Sequence, residues 1–162
     1  MTVYAIPGSK FELGAALATK SADFVAADFT TPMTTPSVVG EPETLGSLSD
    51  TWETEDFGNV TDGRIRTLKT MRKGSTMELT CGIDPTDAGQ LAMRAAHAAA
   101  GNYAMRLTLA DKPATGASPK NSTRTFVGLV LGCEDDPSGK IGKVKFSIQI
   151  NSNIVVAHAS PT

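Results

Sequence analysis

The sequence is poor in the residues from which most active sites and disulfide frameworks are built. Its 162 residues include two cysteines, two histidines, two tyrosines and one tryptophan, and aromatic residues make up only 6% of the chain. Two cysteines are too few for a disulfide framework, so Cys81 and Cys133 are predicted to be buried, reduced thiols. The scarcity of aromatic residues also argues against an enclosed ligand pocket.

No catalytic or cofactor-binding motif is recognisable. The chain has no Cys/His spacing typical of zinc and no GxSxG elbow, and a catalytic role for His97 or His158 is disfavoured. The stretch GCEDDPSGK has six residues between its glycines, whereas a phosphate-binding P-loop has four. Its acidic triplet, residues 134–136, is chemically suited to calcium, but a solvated β-turn is the favoured interpretation. We expect no enzymatic activity, no cofactor and no metal, and favour a structural role.

Long apolar runs are also missing. No stretch approaches the 18 or so consecutive apolar residues of a membrane span. The N-terminal stretch MTVYAIPGSKFELG lacks the charged region and apolar run of a signal peptide. We therefore expect a protein that is made in a cytoplasm and does not associate with membranes.

The charges are balanced in total but divided along the chain. The net charge is −2, which gives no basic surplus typical of a nucleic-acid binder. Residues 1–62 carry a net charge of −8, and residues 63–162 carry +6. The change of sign falls inside Ser49–Gly74, whose first half has only acidic charged residues and whose second half has only basic ones. This division is either incidental or a sign of two surfaces through which copies meet head to tail.

The first half of the chain predicts few regular elements. Residues 1–36 are interrupted by prolines and rich in alanine and threonine, so we predict an extended arm with at most a short strand at Ser9–Leu13. Residues 49–74 are predicted to be a long hairpin or ordered loop, because Asn59 and Asp62-Gly63 are turn formers between two extended limbs.

The second half predicts a sheet and one helix. The stretch TMELTC alternates apolar and polar residues, as does KVKFSIQI near the C-terminus, whereas TRTFVGLVLGC is apolar on both faces. The helix is predicted to begin at Asp84 as N-cap and Pro85 as first residue, with a core face of Ala88, Leu91, Ala92, Ala95 and Ala99. The whole chain is therefore predicted to be a single domain, a mainly β sandwich or barrel of six to eight strands with one flanking α-helix.

The order of these parts resembles the major tail tube proteins of long-tailed bacteriophages, and of prophages and gene transfer agents with similar tails. The resemblance covers nearly the whole chain, from VVGEPETLGSLSDTWETEDF through the hairpin to the C-terminal strands. Its most specific pieces are the helix start IDPTDAGQL and the ending FSIQINS.

The resemblance implies a fold and an assembly. Subunits of this family are β-sandwiches that form hexameric rings, whose inner sheets join into a β-barrel lining, and the rings stack into a hollow tube. The long hairpin reaches the adjacent ring and the arm helps stacking. The implied partners are other copies of the chain, the tape-measure protein and the tail-tip and terminator proteins. DNA passes through the lumen without sequence-specific binding, and the protein, made in the host bacterial cytoplasm, belongs to the virion tail.

The resemblance also assigns roles to the charged hairpin. Its acidic limb is expected to meet basic groups of the next subunit or ring, with Trp52 and Phe57 as apolar anchors. The expected contact residues are Asp50, Trp52, Glu53, Glu55, Asp56, Phe57, Asp62, Arg64, Arg66, Lys69, Arg72 and Lys73. In the alternative interpretation, Trp52 covers the core of its own subunit. Glu78, on the polar face of its strand, is a candidate for the lumen wall.

Three other functions stay open at this stage. The chain could be a tail terminator or head–tail joining protein, which stops after one ring. It could be a tube protein of the type VI secretion kind. It could also be a monomeric β-sandwich binding module, although such a module usually exposes more aromatic residues than this chain contains.

Overall fold

Ten strands and one helix make up the described part of the chain. A computed structural model describes residues 4–162, so the first three residues of the predicted arm lie outside it. The strands are β1 (Lys10–Ala16), β2 (Ser37–Val39), β3 (Pro42–Thr44), β4 (Asp50–Asn59), β5 (Arg64–Gly74), β6 (Thr76–Gly82), β7 (Tyr103–Thr108), β8 (Thr123–Asp136), β9 (Lys143–Ile150) and β10 (Val155–Ala157). The helix α1 spans Ala88–Ala98, and a 3₁₀ turn spans Ala26–Phe29. The predicted mainly β fold with one flanking helix is confirmed.

The main sheet closes on itself. Eight antiparallel strands follow the order β2-β1-β7-β8-β9-β6-β3, with β10 beside the start of β8. The two edge strands, β2 and β3, are separated in the chain only by Gly40 and Glu41. Three peptide steps span at most about 11 Å, so the edges must lie close together. The sheet therefore curls into a barrel-like sandwich.

Strand β8 joins the two halves of this sandwich. Its first half pairs with β7 and its second half pairs with β9, with a register shift between Val130 and Gly132. Such an irregularity bends a strand and lets it serve two sheets. Helix α1 contacts β8, β2 and β1, and Arg94 of the helix reaches Cys133 and Asp135 of β8. The helix thus lies beside the half of β8 that β7 does not reach.

The core follows the alternation of the strands. The buried residues Met77, Leu79 and Cys81 of β6 face inward with Val144, Phe146, Ile148 and Ile150 of β9, as their spacing predicted. Phe126 and Val130 of β8 join the same core, whereas Val127 of β8 is buried on the opposite face. The apolar run of β8 is therefore covered on both sides. Both cysteines are free: Cys81 is buried, whereas Cys133 is partly exposed, so the prediction of two buried thiols holds for Cys81 only.

Residues 9–33 pack onto the body of the protein, which differs from the predicted arm. Strand β1 pairs with both β2 and β7, and buries Phe11 and Leu13 in the core. Farther along, Phe24, Phe29 and Met33 form a second buried cluster with Ala104 and Val127. Because the apolar residues of this segment are widely spaced among alanines and threonines, no periodicity revealed them.

The helix begins one turn later than predicted. Asp87 is the N-cap, and its carboxylate accepts a hydrogen bond from the backbone of Gln90 at 2.7 Å. Asp84 is not the cap, because its carboxylate accepts the backbone N–H and hydroxyl of Thr86 in a local turn. The buried face consists of Gly89, Gln90, Met93 and Ala96. Of the predicted core face, Ala92 packs against the core, but Ala88, Leu91 and Ala95 are exposed, Leu91 by 51%.

Residues at the start of α1 form hydrogen bonds with the link between β2 and β3, where the two edges of the sheet meet. The amide of Gln90 donates to the carbonyls of Gly82 (2.8 Å) and Gly40 (3.2 Å) and accepts from the backbone N–H of Asp84 (3.1 Å). Asp87 accepts the N–H of Gly40 at 3.1 Å. A side chain at Gly40 would bring its Cβ to 2.6 Å from this carboxylate and would displace the Asp87 side chain from its hydrogen bonds.

Candidate functional site

Residues 49–74 form a long, exposed hairpin, as predicted. Strands β4 and β5 pair only with each other and make a separate two-stranded sheet. At about 3.3 Å per residue, its ten-residue strand β4 extends the hairpin by roughly 30 Å. The turn is closed by the N–H of Gly63, which donates to the carbonyl of Asn59 at 2.9 Å, and Gly63 has φ of 65°. The predicted turn residues are therefore those that reverse the chain.

The hairpin contacts the body of the protein through its base. The N–H of Ser75 donates to the carbonyl of Ser49 at 2.9 Å, and the carbonyl of Ser75 accepts the N–H of Ile150 at 3.1 Å. Arg72 forms salt bridges with Asp50 of the opposite strand and with Asp23 of the segment before the 3₁₀ turn. These contacts fix the base of the hairpin next to the end of β9.

The acidic and basic limbs lie side by side within one subunit. Salt bridges join Asp50 to Arg72 and Asp62 to Arg66 inside the hairpin. The other charged residues of the hairpin form no salt bridge with any residue between 4 and 162; they are Glu53, Glu55, Asp56, Arg64, Lys69 and Lys73. Five carboxylates and five basic groups leave the hairpin without net charge. Part of the charge that the sequence assigned to other subunits is thus neutralised internally.

Trp52 lies on the hairpin and not on the core of its subunit. Its side chain is 45% exposed. The Lys69 ammonium lies 5.7 Å from the centre of the indole ring and the Arg72 guanidinium lies 5.4 Å from it, which is cation–π geometry. The alternative in which Trp52 covers its own core is therefore wrong.

The hairpin exposes more apolar surface than the sequence predicted. Besides the expected anchors Trp52 and Phe57, its exposed large apolar residues are Val60, Ile65, Leu68 and Met71. Ile65, Leu68 and Met71 are spaced irregularly among lysines and arginines, so no alternation in the sequence indicated an apolar face. Isolated exposed apolar residues are normal, but six on one ribbon form a patch of the kind that marks an interaction site.

A second notable surface is the outward face of β6 and β9, here called the polar sheet face. It carries Thr76, Glu78 and Thr80 from β6 and Lys143, Lys145, Ser147 and Gln149 from β9. The hydroxyl of Thr76 donates to the amide oxygen of Gln149 at 3.0 Å, and Glu78 lies opposite Ser147. Glu78 is thus exposed on the polar side of its strand, as the alternation predicted.

The acidic triplet ends strand β8 and forms one ion pair, so the predicted turn begins after these residues and not within them. Arg94 donates to the carboxylate of Asp135 at 3.1 Å, which holds the pKa of that carboxyl below its usual range. The carboxylate of Asp136 accepts the N–H of Ser138 at 3.0 Å, and the two strands reverse there. Over residues 4–162, no cluster of three histidine, cysteine or acidic side chains is arranged to hold a metal ion. No helix in the same range is long and apolar enough to span a membrane.

Solved structures with a similar fold include a tail tube protein, a chain of a prophage baseplate and a terminator of a contractile injection system. The SPP1 tail tube protein superposes with a TM-score of 0.65 at 14% identity, over 95% of this chain and 80% of that one. A chain of the anti-feeding prophage baseplate, solved with 6-fold symmetry, gives 0.60 at 12% identity over 98% of both chains. A chain of the PVC sheath/tube terminator gives 0.63 at 8% identity, over 97% and 99%. The sequence matches no family model and no curated protein. The fold that the resemblance predicted is confirmed.

Proposed function

We propose that this protein is a non-enzymatic virion subunit that polymerises as stacked rings into the hollow tube of a phage-type tail. The observation that carries the proposal is the long, apolar-studded hairpin, which projects from a body with the tail tube fold. Monomeric proteins rarely expose so many apolar residues together, because exposed apolar area favours association. A contact that does not close on itself generates a filament by repetition.

The hairpin supplies the contact between neighbouring subunits or rings. Trp52 and Phe57 are its anchors, because aromatic residues carry much of the energy of protein interfaces. The unpaired charges of the hairpin set register and orientation more than affinity. The charges bound within the hairpin, Asp50, Asp62, Arg66 and Arg72, act by keeping its shape.

The polar sheet face is assigned to the wall of the lumen, with Glu78 as one of its charges. Its hydroxyl and amide groups and its mixed charges suit a passage through which DNA must slide. A cluster of basic groups alone would hold phosphates through counterion release and slow the passage. The rings are hexameric in this proposal, and the 6-fold symmetry of the anti-feeding prophage structure supports that number. Further partners are a tape-measure protein and tail-tip and terminator proteins.

Negative-stain electron microscopy of the purified protein over a range of concentrations tests the proposal. We expect hollow tubes or stacked rings whose amount increases with concentration. Particles that stay monomeric at every concentration and ionic strength would contradict the proposal.

A tail terminator is the second candidate, because the PVC terminator chain has the same fold over nearly its full length. A terminator blocks further growth, so the same images would show single rings and no tubes. The length distribution of the particles therefore separates the two functions.

A further inference from the structure

The hairpin and the turn between β8 and β9 lie at opposite ends of the main sheet. The hairpin leads directly into β6 at Thr76, whereas the end of β6 at Gly82 pairs with Lys143 beside the β8–β9 turn. The N–H of Ile83 donates to the carbonyl of Gly142 at 3.0 Å and fixes this arrangement. Seven residues of strand place the two ends about 20 Å apart. The region formed by Glu41, residues 83–87 and residues 134–145 is called the turn end.

The turn end is apolar at its centre and acidic around it. Ile83 is 40% exposed and Ile141 is 69% exposed, with Gly142 between them packed against the Ile83 side chain. Five carboxylates of this region form no salt bridge with a described residue. Two lysines, Lys140 and Lys145, also form none, so unpaired acidic groups outnumber unpaired basic ones. The carboxylates are Glu41, Asp84, Asp87, Glu134 and Asp136.

The tip of the hairpin has the complementary character. Phe57, Val60 and Ile65 are exposed there, and Val60 is 98% exposed. Within residues 57–66, here called the tip, Arg66 is neutralised by Asp62, which leaves Arg64 as the charged group without a salt bridge to a described residue; Asp56 lies directly below this range. The tip is therefore apolar and basic, whereas the turn end is apolar and acidic.

We propose that the turn end of one copy is the docking surface for the hairpin tip of a second copy. This inference rests on the proposed function and identifies the receiving surface, which that function leaves open. The two surfaces lie at opposite ends of one subunit, so their contact joins subunits head to tail and cannot close within a pair. The apolar centres exclude water from each other, and the opposite charges orient the encounter.

Disulfide trapping tests the contact. One set of subunits carries Val60→Cys and another carries Ile141→Cys, both with Cys133→Ser to remove the partly exposed native thiol. The remaining Cys81 is buried, and burial raises the pKa of its thiol to about 11, so it stays unreactive. Under mild oxidation we expect a covalent dimer in the mixture and little in either set alone. The matched control pairs Val60→Cys with Val25→Cys, which is also exposed but lies away from the turn end.

A second variant separates this inference from the proposed function. Ile141→Lys replaces an exposed apolar group by a positive charge, which removes the apolar partner of the tip and repels the basic group Arg64 of the tip. We expect it to stay folded and to form at least tenfold fewer tubes than wild type, whereas Val25→Lys assembles normally.

The outcomes assign failure to one proposal or the other. Wild-type tubes together with normal tubes from Ile141→Lys, or wild-type tubes with no selective cross-link in the mixture, would overturn the docking surface and leave the proposed function intact. If wild type forms neither tubes nor rings and no cross-link appears, both proposals fail. A selective cross-link supports the docking surface.

Discussion

At the residue scale, Gln90 connects the helix to both sides of the sheet closure. It is 2% exposed, and its amide satisfies two carbonyls and one N–H. Gln90→Leu would leave these buried groups without partners, so we expect a loss of about 2–4 kcal/mol in the free energy of unfolding. Chemical denaturation measures it. Leu91→Gln on the same helix is the control and should change stability by less than about 0.5 kcal/mol; a large loss there would mean that Leu91 faces the core.

Glu12 gives the protein a pH-dependent contribution at the same scale. Burial by itself raises the pKa of Glu12, but hydrogen bonds and charge from Arg106, with Thr108, outweigh it and hold the pKa below the ordinary value of 4.5. A lowered pKa means that the stabilisation is present above pH 4.5 and is lost as the pH falls through the folded-state value. We expect Glu12→Gln to be less stable than wild type by about 1–2 kcal/mol at pH 7, and the difference to shrink as the pH falls below 4.5. Equal denaturation midpoints at pH 7 would contradict this.

At the element scale, the strands of the hairpin pair only with each other, and the hairpin contributes little to the stability of the body. None of its residues belongs to either buried cluster. An Asn-Gly turn in place of residues 52–72 removes Arg72 and its salt bridges but keeps the strand pairs Asp50–Gly74 and Thr51–Lys73, and it favours a tight hairpin. We expect this shortened protein to unfold with a midpoint within a few degrees of wild type and to form no tubes. Calorimetry and electron microscopy measure the two properties, and tubes of normal length from the shortened protein would exclude the hairpin as the stacking element.

At the scale of the whole molecule, assembly should protect the hairpin more than the body. The amides of β6 and β9 are already paired inside the main sheet, whereas both faces of the hairpin are open to water. Hydrogen exchange on free subunits and on tubes should therefore show at least tenfold slowing in residues 50–74 and little change in residues 143–150. Equal protection in both states would place the intersubunit contacts elsewhere.

Local features of the protein could be predicted from patterns in its sequence. Alternation predicted the inward residues of β6 and β9, turn formers predicted the reversal at Asn59–Gly63, and the order of parts predicted the tail tube fold. The first two are properties of neighbouring residues, because a strand's two faces and a turn's backbone are set within a few positions, whereas the fold came from a resemblance of the whole layout.

The contacts between residues that are distant in the chain could be seen in the tertiary structure but not predicted from the sequence. The two-residue link Gly40–Glu41 closes the sheet, Asp87 displaces Asp84 as the cap because it also binds Gly40, and Phe24 finds its partners on β7 and β8. The hairpin register brings Asp50 to Arg72 within one subunit, where the sequence had suggested a partner in the next. Such contacts depend on strand order and register across the whole chain, and no local pattern encodes them.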